Sequence, residues 1–297
     1  MGDMMIDVLN LTKIYQSGKG VFDVTFSVQK GEVFGFLGPN GAGKTTTIRQ
    51  LLGFTNSDSG ECRIDDMDTR KAAAVIAREL GYIPGEIAFF EHMTGTQFLT
   101  FMAQLRGIDT PKRREEMIER FELETHMKIR KMSKGMKQKL ALVAAMMHDP
   151  SILILDEPTS GLDPLMQKRF IDLICEEKRR GKTILMSSHQ FEEVERTCER
   201  VAIIKDGRIV TVASISHLQE QVRKTFRVGF ASEEDVREMQ KTKLDLKVID
   251  DHTCLIYIQD NYTDVLQALA KRQVTSMKSL DESLEEVFIG FYGKETH

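Results

Sequence analysis

The eight residues GPNGAGKT, 38–45, directly follow the continuous apolar run VFGFL, 33–37, and no other stretch constrains this chain as tightly. The run suits a strand buried on both faces, as in a parallel sheet covered by helices. The spacing G-x-x-x-x-G-K-T then predicts a tight loop and a helix opening near Lys44. Gly38, Pro39, Asn40, Gly41, Ala42 and Gly43 make the loop, whose backbone N–H groups close on phosphate oxygens while the helix dipole favours the anion. Lys44 reaches the β- and γ-phosphates, the Thr45 hydroxyl can ligand Mg²⁺, and Thr46 continues the helix beside them. These residues predict a nucleoside triphosphate site on an α/β sheet.

A second apolar run, SILIL, ends in DEPTSGLD, residues 156–163. Asp156 at that strand end would hold the Mg²⁺ shell, and Glu157 can orient and deprotonate a water for attack on the γ-phosphate. A third run, TILMSSHQ (183–190), brings His189 out at the same carboxyl edge, where ligands bind in parallel sheets. His189 is read there as a γ-phosphate contact. The stretch KMSKGMKQKL, 131–140, adds a capping serine, a glycine and four lysines, a helix N-terminus suited to an anion.

The remaining pattern sets the domain organisation. In VFDVTFSV, Phe22, Val24, Phe26 and Val28 alternate with polar residues, which predicts a half-buried strand. Asp206-Gly207 between VAIIK and RIV predicts a hairpin. Strands alternating with helices predict a largely parallel sheet. Residues 94–148 carry helical signals only: a capping box at Thr94 and Gln97, an apolar face of Phe98, Phe101 and Leu105, Gly107 as the stop, and a helix from Pro111 with Met117, Ile118 and Phe121. Beyond about residue 220, TFRVGF, LDLKV and TCLIYI read as strands. NYTDVLQALAKRQ reads as a helix capped by Asn261 with Val265, Leu266 and Leu269 inward, and Ser283-x-x-Glu286 as another capping box. The predicted domains are 1–219, with a helical insert at about 91–147, and a small α+β appendix at 220–297.

Charge and hydropathy narrow the function. A net charge of −4 with no basic arm argues against a general nucleic-acid binder, so no nucleic-acid partner is expected. No apolar run is long enough to span a bilayer, and MGDMMIDVLNLTK lacks a signal-peptide pattern. Cys62, Cys175, Cys198 and Cys254 are scattered, as for reduced thiols in a cytosolic protein.

GPNGAGKT, MSKGMKQKL, ILILDEPTSGLD and SSH, in that order, resemble the ATP-binding cassette ATPases over about residues 5–215. The resemblance implies a P-loop cassette with an antiparallel β subdomain and an inserted helical subdomain, binding ATP and Mg²⁺. Two cassettes of that family close head to tail, so it implies that Ser133 and Gly135 bind a γ-phosphate held by a second chain, identical or a paralogue. It further implies that Tyr15 stacks on adenine and that Asp163 lies on a loop facing the other subunit.

Two departures stand out. The family's S-G-G-Q reads here Ser133-Lys134-Gly135-Met136, where Lys134 either adds charge or is solvated. The family's glutamine after GYIP is Gly85; its neighbour Glu86 is either a substitute metal-side ligand or an exposed loop carboxylate.

Three functions compete. A regulator that does not turn ATP over has no need of Glu157 and His189. A soluble remodelling ATPase would be expected to carry paired cassettes or long coiled coils. The expectation is therefore the ATP-hydrolysing subunit of a transporter, of exporter type by resemblance, at the inner face of the cell membrane through a permease on a separate chain.

Overall fold

The computed structural model describes residues 4–108, 110–220, 224–258 and 262–280. The chain divides into two units, Met1–Ile215 and Ser216–His297. In chain order the first unit runs β1 (Met4–Ile14), β2 (Gly20–Gln29), β3 (Val33–Leu37), α1 (Lys44–Leu51), β4 (Ser59–Ile64), β5 (Met67–Asp68), α2 (Thr69–Glu79) and β6 (Leu80–Ile83). It continues through α3 (Gly95–Arg106), α4 (Pro111–Arg120), a 3₁₀ turn (Ile129–Lys131), α5 (Lys134–Met146), β7 (Ile152–Asp156) and α6 (Pro164–Arg179). The last elements are β8 (Thr183–Ser188), α7 (Phe191–Thr197), β9 (Arg200–Lys205) and β10 (Arg208–Ser214), and α8 (Ile215–Glu220) crosses the division.

The site-bearing sheet has the order β10-β9-β3-β8-β7-β6. Its β9, β3, β8, β7 and β6 are parallel, and β10 pairs antiparallel on the edge. Every residue of β3, β7 and β8 is buried, which explains their unbroken apolar runs. All three strands end on one edge, so the residues after them converge, although those after β3 lie more than a hundred positions from those after β7 and β8. The β9–β10 hairpin turns through Asp206 and Gly207, both with positive φ (48° and 76°), as the two-residue turn requires.

A separate antiparallel sheet, β2-β1-β4-β5, packs its inward residues into the same core. Alternation along β2 slips at Asp23, whose φ is 55°. Val21 is therefore fully buried, while Phe22 is only half-buried beneath the Arg208 guanidinium, 5.1 Å from the ring centroid.

The helical segment is built as its caps dictate. Thr94 and Gln97 form the reciprocal capping box on α3, and Gly107 stops it in the left-handed region at φ 67°. Phe98, Met117 and Phe121 are buried, whereas Leu105 is 63% exposed and does not belong to the core face. Ion pairs fasten this segment to α6: Arg113 reaches buried Glu177 at 2.5 Å, Arg120 reaches Glu176 at 2.7 Å, and Arg169 reaches Glu122 at 2.5 Å.

The second unit is β11 (Lys224–Phe230), α9 (Glu233–Gln240), β12 (Leu246–Asp250), β13 (Thr253–Ile258), α10 (Tyr262–Leu269) and β14 (Val274–Ser279). The antiparallel order β12-β13-β11-β14 makes it a split β-α-β arrangement. Its core gathers Val228, Phe230, Val236, Met239, Cys254, Ile256, Val265 and Leu269. Leu266, expected inward, is 56% exposed. Asn261 and the Ser283–Glu286 capping box lie outside the described residues.

Candidate active site

The loop after β3 carries Gly41 and Gly43 at positive φ (83° and 111°). A Cβ on Gly43 would stand 2.6 Å from Val21 Cγ1, so both backbone shape and space demand glycine there. Lys44 opens α1 and is almost fully buried; its Nζ donates to the carbonyls of Gly38 (2.6 Å) and Pro39 (3.2 Å). The same Nζ is 3.0 Å from Glu157 Oε1.

Asp156 ends β7 with no exposed surface. Thr45 Oγ1 donates to its Oδ2 at 2.7 Å, and Ser187 Oγ donates to its Oδ1. Ser187 sits there because β7 and β8 pair Asp156 with Ser187. The next residue, Glu157, is held at φ 52°, an unusual conformation for a non-glycine residue. Its N–H donates to both the Ser187 carbonyl (3.2 Å) and hydroxyl (3.1 Å). That twist turns the Glu157 carboxylate between two partners: Lys44 on Oε1 and His189 Nδ1, 2.5 Å away, on Oε2.

Beside these groups lies a cavity of about 420 Å³, lined by Tyr15, Asn40, Lys44, Thr46, Arg49 and Glu157 among others. Tyr15 is 42% exposed, in a turn whose N–H donates to the Lys19 carbonyl at 2.8 Å. Gly85 and Glu86, after β6, also line it. A Cβ on Gly85 would fall 2.9 Å from Asp156 Oδ2 and 3.6 Å from Thr45 Oγ1, so that position offers no side-chain ligand. Thr45 and Asp156 are oxygen donors of the kind a hard divalent cation takes, which fits Mg²⁺. Among the described residues no three His, Cys, Asp or Glu cluster as a metal site.

Ser133, Gly135 and Asp163 are not brought to this cavity. Ser133 caps α5 by accepting the Met136 N–H at 3.2 Å, and Asp163 caps α6 by accepting the Met166 N–H at 3.0 Å. A second cavity of about 430 Å³ lies at the α5 N-terminus, lined by Glu86, Met132, Lys134, Lys137, Gln138 and Ser160 among others. A Cβ on Gly135 would stand 2.8 Å from the Gly161 carbonyl oxygen, and Lys134 Nζ donates to Ser160 Oγ at 3.1 Å. The α5 N-terminus therefore packs on the loop that follows Glu157.

Sequence reasoning missed Ser187, Gln138, Lys19 and Arg49. Gln138 donates to the Pro158 carbonyl at 2.7 Å, and both cations line the first cavity. The signal for Ser187 was present in TILMSSH, where polar residues end a buried run directly before His189.

The model of a known family, described as ABC transporter, matches residues 21–160. The chain is 33% identical to the bacitracin transport ATP-binding protein BcrA of Bacillus licheniformis, over 98% of each chain. It is 29% identical to the linearmycin resistance ATP-binding protein LnrL of Bacillus subtilis, over 98% of this chain and 99% of that one. A solved ATP-binding subunit of an ABC transporter superposes with a TM-score of 0.67 at 30% identity, covering 73% of this chain and 92% of that one.

Proposed function

This chain belongs to the ABC transporter family as an ATP-binding subunit that hydrolyses ATP to power transport, and we propose that its transporter is an exporter with the membrane-spanning subunit on a separate chain. Among the described residues no helix is long and apolar enough to cross a membrane, which supports a separate permease. BcrA and LnrL, named for bacitracin transport and linearmycin resistance, support export of a drug-like or peptide-like compound. Attachment to the inner face of the membrane through the permease follows from the same reading.

One observation carries the catalytic assignment: the Glu157 carboxylate, forced out by its left-handed backbone, stands between Lys44 and His189 at the nucleotide cavity. There Glu157 accepts the proton of an attacking water, and His189, holding the other carboxylate oxygen, keeps that base aimed and meets the γ-phosphate. Lys44 and the N–H groups of 38–43 neutralise charge developing on the phosphoryl oxygens. Tyr15 at the rim offers its ring to adenine. Thr45 and Asp156 would hold Mg²⁺, with Glu86 near the same cavity, and the cation would supply further charge neutralisation at the phosphates. Ser133, Gly135 and Asp163, excluded from the chain's own cavity, serve a nucleotide bound by a second cassette. The working unit is thus a pair of cassettes, identical or paralogous.

The reading is tested by isolating the tagged Glu157→Gln chain from its native cells with ATP present. Recovery with membranes and a protein bearing several spanning helices is expected. Recovery with ribosomes, DNA or a soluble complex would replace transport by remodelling.

A further inference from the structure

Behind the Glu157–His189 pair lies a carboxylate that the catalytic assignment does not use. Glu193, on α7, is 4% exposed. Its Oε2 accepts the Ser188 hydroxyl at 2.6 Å, and Ser188 Oγ in turn accepts the Gln190 N–H at 3.0 Å. Those two bonds clasp His189 from both sides, since Ser188 precedes it and Gln190 follows it. The Ser188 carbonyl accepts the Gly38 N–H at 3.2 Å, which ties the same strand end to the phosphate loop. Its other oxygen, Oε1, is buried and makes no hydrogen bond, and Thr159, a buried residue two positions after Glu157, lines the same small cavity. Glu193 is anchored from its own helix as well, for the Thr197 hydroxyl donates to its backbone carbonyl at 2.7 Å.

We propose that Glu193 is a positioning residue for ATP hydrolysis: its carboxylate, set against the turn after Glu157, holds Ser188 at the strand end bearing His189 and so keeps that pair in register. The inference rests on the catalytic reading above and adds a residue that touches neither nucleotide nor attacking water. A buried carboxylate is costly unless its hydrogen bonds are made, and an apolar residue of similar size would fill this space at lower cost. What the carboxylate supplies instead is a charged acceptor for Ser188, which fixes where His189 leaves the strand relative to Glu157.

The pairing also makes the brace titratable. Burial raises the Glu193 carboxyl from 4.5 to about 7; the Ser188 hydroxyl opposes this, the Glu157 charge reinforces it and His189 opposes it. The other charged groups around the small cavity that Glu193 lines are Lys168 on α6 and Glu192 and Arg196 on α7. Ionised, Glu193 accepts the Ser188 hydroxyl through a charge-assisted hydrogen bond. Protonated, it is a weaker, neutral acceptor, and the clasp on His189 loosens.

The test is steady-state ATP hydrolysis by the full chain, first showing that the wild type turns over and that Glu157→Gln does not. Absence of that contrast would defeat the catalytic reading rather than this inference. Glu193→Ala is expected to lower kcat at least tenfold with KM for ATP within about twofold, in a chain whose circular dichroism is native. In the His189→Ala background the same change should cost less than twofold more, because the brace then has nothing to position. Glu193→Gln, which keeps the shape and an accepting oxygen, should restore kcat to within about threefold at pH 6. It should also lack a limb that rises through about pH 7 in the wild type. A folded Glu193→Ala chain with wild-type kcat, the full tenfold loss persisting in the His189→Ala background, or the same pH limb in Glu193→Gln would overturn the proposal.

Discussion

Exchanging Glu193 for glutamine should reverse part of the chain's stability profile with pH, independently of any effect on turnover. In the unfolded chain the carboxyl titrates near 4.5, whereas in the fold burial raises it to about 7. Between these values the native state holds a proton that the unfolded state has released. Stability from this group is therefore complete below about pH 4.5 and is lost as pH rises through about 7. The whole interval corresponds to about 3 kcal/mol at about 1.36 kcal/mol per pH unit, and about 2.5 kcal/mol of it falls between pH 5 and pH 8. Glutamine has no proton to lose and lacks this slope. The variant should thus gain about 2.5 kcal/mol on the wild type over that range, whatever their difference at pH 5, because the other titrating groups are common to both. The assay is urea unfolding of nucleotide-free protein by circular dichroism at pH 5, 6, 7 and 8, following the transition of the cassette unit. At a slope of about 2 to 3 kcal/mol/M the relative midpoint moves by about 1 M. A difference constant to within about 0.5 kcal/mol across the range would refute the argument, since a group buried with its charge uncompensated cannot be neutral to pH.

Further tests probe the cavity itself. Glu157→Gln should lower phosphate release by about 10² to 10⁴ while leaving ATP binding intact, and turnover within tenfold of wild type would remove Glu157 as base. Gly85→Ala forces a methyl to within 2.9 Å of Asp156 Oδ2; crowding of about 1 to 3 kcal/mol should raise the Mg²⁺ concentration for half-maximal activity about tenfold or more, as read in a chelator-buffered titration. Ser133→Arg should leave one chain able to bind ATP and unable to hydrolyse it. Mixed with Lys44→Ala it should recover part of the activity, and no recovery would contradict a site shared between chains.

The strand–loop–helix at 33–51 was legible because everything it needs is local: an apolar run, glycines where the backbone turns left-handed, and a lysine at the first helical position. The caps at Thr94 and Ser133 are equally short-range, each side chain bonding an N–H three residues on, whereas the capping role of Asp163 went unread. The geometry around Glu157 was not legible. Its positive φ depends on Ser187, thirty residues away, and that partnership exists only once β7 and β8 have paired in register. Gly85 reads in the sequence as a missing glutamine, whereas in the fold it is the only residue type that fits against Asp156 without displacement. Glu193 carries no motif at all, since a glutamate in FEEVER looks like any charge on a surface helix. The inward reading of Leu105 and Leu266 failed for the opposite reason: helical periodicity marks a stripe, but the neighbour that covers it is set by tertiary packing.

The ion pairs between α4 and α6 have a mechanical meaning. α6 is an unbroken helix of 16 residues, about 24 Å long at about 1.5 Å per residue. Its C-terminal turns, through Glu176 and Glu177, are fastened to Arg120 and Arg113 of the helical segment, while its other end begins at Asp163, six residues after Glu157. A stiff rod fastened to that segment at Glu176 and Glu177, and again at Arg169, carries displacement of the segment toward its N-terminal end. A push on the helical segment would therefore reach the 158–163 loop through the length of α6, as well as through the shorter contact at Gly135, and the nucleotide site would sense the load at two points.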